Sequence, residues 1–348
     1  HPIMLVGGAT GFIGDPKASG ERAMLSKEQL ESNYQALHKQ ISELWGFDMV
    51  NNLDWTKEIS IIDFLRDYGK LFNVTYMLNK ETVKKRLESG ISYTEFSYMI
   101  LQSLDFLHLY QEKNCVMQIG GQDQWGNITA GLELIRKKCG ADSQCYGLTM
   151  PLITKADGEK FGKSESGTVW LDPEKTSPYE LYQFLFNTDD RKVIEYLKKL
   201  TFLTKEEIDS LEQSLQEAPF KREAQKALAC EVVRDLHGQQ GLDSALKITN
   251  ALFKGKLEDL SPEQRRDALK NMETRDCPNG LILEEVLVQT GIASSKREAR
   301  EWIKGNSISV NGLKQTDTQW IVDQSQTYID SYVIIRRGKK NYYCLTLQ

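Results

Sequence analysis

The stretch Gly120-Gly121-Gln122-Asp123-Gln124-Trp125-Gly126-Asn127 constrains the chain most, because it follows directly on the apolar run Cys115-Val116-Met117-Gln118-Ile119. Valine, methionine and isoleucine before paired glycines read as a buried strand ending in a polar turn. The next segment, Ile128 to Arg136, has helical spacing, so the motif lies between the carboxyl end of a strand and the start of a helix. In open parallel α/β sheets that edge is where ligands bind, since glycines let backbone approach while short polar side chains point into the crevice. An aspartate and a glutamine side by side there suit a ribose and a small polar substrate.

A chain of 348 residues, 40% of them hydrophobic, can build two or three domains with real cores. No apolar run approaches the roughly 20 residues of a membrane helix, and the start lacks the basic-then-apolar order of a signal peptide. A soluble, intracellular protein without membrane partners is expected, cytoplasmic in location. Cys115, Cys139, Cys145, Cys230, Cys277 and Cys344 form no C-x-x-C pair, so free thiols are expected, with no metal site and no disulfide framework. The net charge of -5 does not itself point to nucleic acid, but residues 332–348 carry Arg336, Arg337, Lys339 and Lys340 without an acid.

The chain begins abruptly with an expected strand, Ile3-Met4-Leu5-Val6, and then Gly7-Gly8-Ala9-Thr10-Gly11-Phe12-Ile13-Gly14. Taken alone this matches the glycine-rich turn of short-chain dehydrogenases and epimerases. In those sites the helix continues for several turns. Here Asp15-Pro16-Lys17-Ala18-Ser19-Gly20 breaks it, and the Tyr-x-x-x-Lys pair at Tyr76 and Lys80 comes too early in the chain.

Ser26 is placed to cap a helix, with Gln29 reaching back, and Leu30, Tyr34, Leu37, Ile41 and Leu44 form one apolar stripe read as core packing. Residues 57–90 are helical in pieces, with Ile61, Ile62, Phe64, Leu65, Val83 and Leu87 expected inside. On the next helix, 94–111, Tyr98, Gln102 and Asp105 share one face. That face could simply be solvated. Residues 94–112 contain no Lys or Arg, however, and Tyr, Gln and Asp are what a pocket wall needs. After another expected strand, 148–153, comes Thr154-Lys155-Ala156-Asp157-Gly158-Glu159-Lys160-Phe161-Gly162-Lys163-Ser164. This basic, glycine-flanked loop suits a mobile clamp on a polyphosphate or an ordinary surface loop.

From Pro178 to about Met272 the pattern is helical throughout, and Asn271 to Gly280 reads as a linker. The remainder begins with two short helices, the second carrying Lys296, Arg297 and Arg300, and turns to strands with Asn311-Gly312 as a hairpin turn. Its cations beside Tyr342 and Tyr343 fit a small RNA-binding module, with rings free to stack on bases, or a charged edge that protects the hairpin.

In this order, Gly7 to Pro16, Phe96-Ser97-Tyr98 through Asp105, Gly120 to Asn127, Lys160-Phe161-Gly162-Lys163-Ser164 and Arg336-Arg337-Gly338-Lys339-Lys340 resemble the bacterial-type tyrosyl-tRNA synthetases, over essentially the whole chain. The resemblance implies an α/β, partial Rossmann-like class I catalytic domain over 1–176, an all-helical anticodon-side domain over 177–275, and a small α+β RNA-binding domain over 276–348. It implies activation of L-tyrosine by ATP with Mg²⁺, transfer to tRNA(Tyr), and a homodimer. Asp15, Tyr98 and Gln102 would hold the tyrosine amino group, Asp105 the phenol and Gln124 the carboxylate. Gly121 and Asp123 would hold the adenylate ribose. Lys160, Lys163 and Ser164, in place of the KMSKS loop, would stabilise the transferring phosphate, with Lys17 and Arg22 assisting. Lys296, Arg297, Arg300, Arg336, Arg337, Lys339 and Lys340 would meet the tRNA.

The HIGH signature has no counterpart among His1, His38, His108 and His237. The amino-terminal part of the nucleotide fold is therefore expected to be missing, and the chain as it stands to activate tyrosine poorly. Two alternatives stay open: a tryptophanyl-tRNA synthetase, which shares the Gly-x-Asp-Gln turn, and a non-catalytic RNA-binding relative.

Overall fold

The computed structural model describes residues 1–15, 25–159, 161–164, 167–254, 257–270, 272–326, 332–338 and 341–348. They form two compact units, His1–Ile153 and Thr154–Gln348.

In the first unit β1 (Ile3–Val6) pairs in parallel with β2 (Asp48–Asn51). The connection holds the single helical turn α1 (Thr10–Ile13) and α2 (Lys27–Trp45). The α1 turn stops at Gly14, whose φ of 80° glycine adopts without strain, so the long helix of a dinucleotide site is absent. A Cβ on Gly8 would meet Asn51 Oδ1 at 2.1 Å, which reserves the turn for glycine. Ser26 caps α2 by accepting from the Gln29 backbone N–H at 3.2 Å. The Gln29 side chain, expected to reach back, donates instead to Asn33 Oδ1. No residue of α2 is fully buried, and Leu37 is exposed, so the apolar stripe is a half-covered surface seam and not core.

Short helices α3 (Leu53–Thr56), α4 (Ile61–Asp63), α5 (Val74–Leu78) and α6 (Glu81–Lys84) follow. Val83 is buried as expected and Phe64 packs against the core, but Ile61 (74% exposed), Ile62 (64%), Leu65 and Leu87 face out. Pieces this short turn one side chain inward and its neighbours outward, so apolar content alone does not place them inside.

The core of this unit is α7 (Tyr93–Lys113) against α8 (Trp125–Cys139), through Leu104, Phe106, Leu107, Leu134 and Ile135. Gly131 admits the Phe106 ring, which would lie 3.1 Å from a Cβ there. Strand β3 (Met117–Gly121) pairs in parallel with β4 (Tyr146–Met150), and Ile128 of α8 lies against Gly147 and Gly120. The turn after β3 thus stands at a strand's carboxyl end, as its sequence indicated, but the strand is not buried as expected: Val116, Met117 and Ile119 are exposed, because a two-stranded pair leaves one face uncovered.

The second unit opens with the antiparallel pair β5 (Lys163–Ser164) and β6 (Gly167–Thr168). Helices α9 (Pro178–Phe186), α10 (Asp190–Leu200), α11 (Lys205–Glu217), α12 (Glu223–Lys254, broken at Gly238) and α13 (Pro262–Leu269) follow. Reciprocal capping boxes start three of them, at Ser177/Glu180, Thr204/Glu207 and Ser261/Gln264.

The expected linker contains β7 (Glu273–Cys277), which runs parallel to the last strand, β13 (Asn341–Leu347). Its pairing partner lies some 70 residues on, beyond the reach of local sequence reading. Between them come β8 (Leu281–Ile282), α14 (Leu283–Gln289), α15 (Lys296–Lys304), β9 (Ile308–Val310), β10 (Leu313–Lys314), β11 (Ile321–Val322) and β12 (Tyr332–Arg337). The five-stranded mixed sheet runs β10-β9-β12-β13-β7. Asn311 and Gly312 both have positive φ, 47° and 84°, as the two-residue hairpin between β9 and β10 requires. Ile248 and Leu252 of α12 share a core cluster with Ile334 of β12, so helical and sheet elements of this unit are packed as one.

Candidate active site

Asp105 sits on the buried side of α7, 2% exposed, and both carboxylate oxygens have fixed donors. Asn52 Nδ2 donates to Oδ2 at 2.9 Å and Trp55 Nε1 to Oδ1 at 3.0 Å. Asn52 is wholly buried and saturated: it also donates to Thr10 Oγ1 at 3.0 Å and accepts from the Ala9 N–H at 2.7 Å. One amide thereby ties the β1 turn, the end of β2 and α7 together. Burial among neutral groups pushes the Asp105 carboxyl up to about 6, because desolvation outweighs the two donated hydrogen bonds. Tyr98 and Gln102, half-buried, lie two turns and one turn before Asp105 on the same helix.

A second cluster joins the glycine turn to the motif after β3. Asp15 accepts from Gln124 Nε2 at 3.2 Å and from Asn127 Nδ2 at 3.4 Å. Asn127 also donates to Gln124 Oε1 at 3.0 Å and accepts from Lys80 Nζ at 2.6 Å. The Lys80 ammonium lies 3.7 Å from Asp15, and burial lowers its affinity for the proton despite the Asp15 and Asp123 charges. A cleft of about 820 Å³ passes Lys80, Asp123, Trp125 and Gly126. Gly121, close to Asp123 in sequence, has no room for a side chain: a Cβ would meet Asp123 Oδ1 at 2.6 Å and Leu152 at 2.9 Å.

The fold therefore draws Asp15 and Gln124 into one network and sets Tyr98, Gln102 and Asp105 along one helix. Asn52, Trp55, Lys80 and Asn127 were missed in the sequence. Asn127 closes the motif that was singled out, and Lys80 stood in the Tyr-x-x-x-Lys pair set aside as chance. Asn52 and Trp55 belong to the run Asn52-Leu53-Asp54-Trp55 after β2, which resembles an ordinary loop.

In the second unit Gly158 turns the segment before β5, and Phe161 packs edge-on against Tyr196 (4.8 Å) and at a tilt against Phe184 (5.4 Å). Tyr196 Oη also donates to the Thr154 carbonyl at 2.9 Å. On α15 each expected tRNA contact has an acidic neighbour: Lys296 bonds Glu285, Arg297 bonds Glu301, and Arg300 grips Glu284 with two bonds of 2.6 and 2.9 Å. Arg337 lies 3.5 Å from the centre of the Trp302 ring and Arg336 donates to Tyr342 Oη at 3.3 Å. Tyr342, expected to offer its ring to a base, packs into the α12–β12 core and donates to the Leu252 carbonyl. Lys17, Arg22, Lys160, Lys339 and Lys340 lie outside the described residues.

Residues 1–254 match the family model described as tRNA synthetases class I (W and Y), which leaves tyrosine and tryptophan enzymes both in play. Residues 264–345 match the tyrosine--tRNA ligase SYY-like C-terminal domain. The tyrosine--tRNA ligase of Staphylococcus carnosus is 51% identical over 98% of this chain and 83% of its own length. This chain belongs to the tyrosine--tRNA ligase family. The Bacillus pumilus tyrosine--tRNA ligase is 50% identical, over 99% of this chain and 84% of its own. Among solved structures, a C-terminally truncated mitochondrial tyrosyl-tRNA synthetase of Aspergillus nidulans superposes with a TM-score of 0.61 at 30% identity, over 72% of this chain and 76% of that one. The corresponding Coccidioides posadasii structure gives 0.58 at 31% identity, over 70% and 73%. The family places the α/β unit as a class I catalytic fold and separates the chain from the tryptophan enzymes. No helix among the described residues is long and apolar enough to cross a membrane.

Proposed function

We propose that this protein activates L-tyrosine with ATP and transfers it to tRNA(Tyr), and that Asp105 accepts the hydrogen bond of the substrate phenol. The observation that carries the reading is a buried carboxylate whose fixed partners are neutral donors, set in a chain of this family. Asp15, Tyr98 and Gln102 supply acceptors for the substrate ammonium, and Gln124, oriented by Asn127, supplies a donor for its carboxylate. The tyrosine carboxylate then attacks the α-phosphate of ATP and pyrophosphate leaves. A hydroxyl of the terminal tRNA adenosine next attacks the acyl carbonyl of the adenylate, releasing AMP. No protein nucleophile is needed. Rate comes from positioning and from charge stabilisation. We assign that stabilisation to Lys160, Lys163 and Ser164, with Lys17 and Arg22 assisting, and the ribose to Gly121 and Asp123. Mg²⁺ enters with ATP as counter-ion of the phosphates.

The tRNA meets Lys296, Arg297, Arg300, Arg336, Arg337, Lys339 and Lys340. The protein acts as a homodimer in the cytoplasm. Ile61, Ile62, Val74 and Tyr93 each leave an apolar side chain exposed, and a second copy is the partner this reading gives them. The deciding experiment is ATP–pyrophosphate exchange driven by tyrosine, with phenylalanine and tryptophan as controls. Any exchange is expected to be specific to tyrosine, and weak, since the sequence has no counterpart of the HIGH signature. Exchange driven equally by tryptophan overturns the reading, and none with any of the three overturns activation by this chain while leaving its family in place.

A further inference from the structure

We propose that His108 is a positioning residue for tyrosine recognition, holding the Trp55 indole in the plane from which it donates to Asp105. The inference rests on the reading of Asp105 as partner of the substrate phenol.

Trp55 belongs to α3, a single four-residue turn without a buried residue, so its own helix cannot fix the ring. Two contacts from α7 do. Asp105 takes the indole N–H at 3.0 Å, and His108, three residues further on the same helical face, stacks on the ring with centroids 4.3 Å apart and planes 16° from parallel. The hydrogen bond sets the direction of the N–H vector but leaves the indole free to tilt about it. The flat imidazole removes that freedom. Each Asp105 oxygen then keeps one fixed donor, Asn52 on Oδ2 and Trp55 on Oδ1, and the unused lone pairs have a defined direction for a phenol. A tilted indole withdraws its donor from Oδ1 and lets the carboxyl turn.

The stack needs a flat face and not a titrating nitrogen, so His108→Phe should behave as wild type and His108→Ala should not. In tyrosine-driven exchange we expect His108→Ala to raise KM for tyrosine roughly five- to tenfold, the scale of one lost aromatic pair. kcat should change less than twofold, kcat/KM for phenylalanine should stay level, and His108→Phe should restore KM. Should His108→Ala fail to fold, His108→Leu, which keeps volume without a flat face, is read in its place. In the Asp105→Asn background the His108 substitution should add nothing. Loss of discrimination in Asp105→Asn with a wild-type KM in His108→Ala overturns the role of His108 alone. Unchanged discrimination in Asp105→Asn overturns the reading of Asp105, and the inference with it.

Discussion

Asp105 on α7 and Glu284 on α14 are equally hidden, 2% and 1% exposed, yet their surroundings make opposite use of them. Asp105 is met by an amide and an indole, both neutral, and its carboxyl is pushed up to about 6. Glu284 is gripped by the Arg300 guanidinium, whose hydrogen bonds hold its carboxyl below the ordinary range. A carboxylate already paired with a cation has its charge spent within the protein. One supported only by dipoles keeps charge available, and a guest that donates a hydrogen bond relieves its desolvation. Glu95 at the start of α7 is likewise met by a guanidinium, that of buried Arg86, at 3.0 and 3.1 Å within the catalytic unit. Among these three carboxylates, neutral support goes with the proposed substrate contact and guanidinium support with a structural lock, while Asp15, 3.7 Å from the Lys80 ammonium, mixes the two.

The largest effect that would test this contrast is on the lock itself. Arg86→Ala leaves Glu95 buried and uncompensated, and chemical denaturation should show a loss of about 3–5 kcal/mol. Replacing both residues with apolar ones of similar volume should recover most of it. A loss under 1 kcal/mol would show that water enters the corner and that the pair is no lock.

Next comes the pH dependence of Asp105. Its carboxyl titrates at about 6 in the folded chain against 3.8 for the ordinary group, so the folded state holds a proton that the unfolded chain has already released. Stability should therefore fall as pH rises from about 4 to 6, by up to roughly 3 kcal/mol, and stay level above. Melting curves of wild type and Asp105→Asn should diverge over that window and run parallel outside it. Over the same range kcat/KM for tyrosine should rise with ionisation, and the inflection should vanish in the variant.

A smaller effect, roughly 10- to 100-fold in kcat/KM for tyrosine and little for phenylalanine, is expected of Asp105→Asn at neutral pH, the scale of one hydrogen bond to a charged group. The smallest separates cations that are spent from cations that are available. Arg300→Ala should change the salt dependence of tRNA binding by well under one counter-ion, because Glu284 already neutralises it. Arg337, held flat against Trp302 with no carboxylate bonded to it among the described residues, should cost close to one. Equal slopes for the two variants would erase the distinction drawn here.

Much of the local structure could be read before any fold was known. The Ser26 cap, the Asn311-Gly312 hairpin and the strand-turn-helix around Gly120 each depend on neighbours within a few residues, and each stands where the pattern put it. The helix 94–111 drew attention for lacking cations, and its burial on both sides explains the lack. What could not be read were pairings across long separations. Asn52 and Trp55 reach Asp105 from 53 and 50 residues away, and β7 pairs with β13 although the other strands of their sheet lie between them in the chain.

By itself, then, the sequence determined the periodicities, the ligand-facing turn and enough ordered motifs to indicate the family. Those properties are short-range, set by backbone preference and by the alternation of apolar and polar side chains. Only the tertiary structure decided that Asp105 is supported by neutral donors while Glu284 and Glu95 are paired, and that Ile61 and Ile62 face outward. A charge's behaviour depends on what surrounds it when water is removed, and in this protein those surroundings are assembled from segments far apart in the chain.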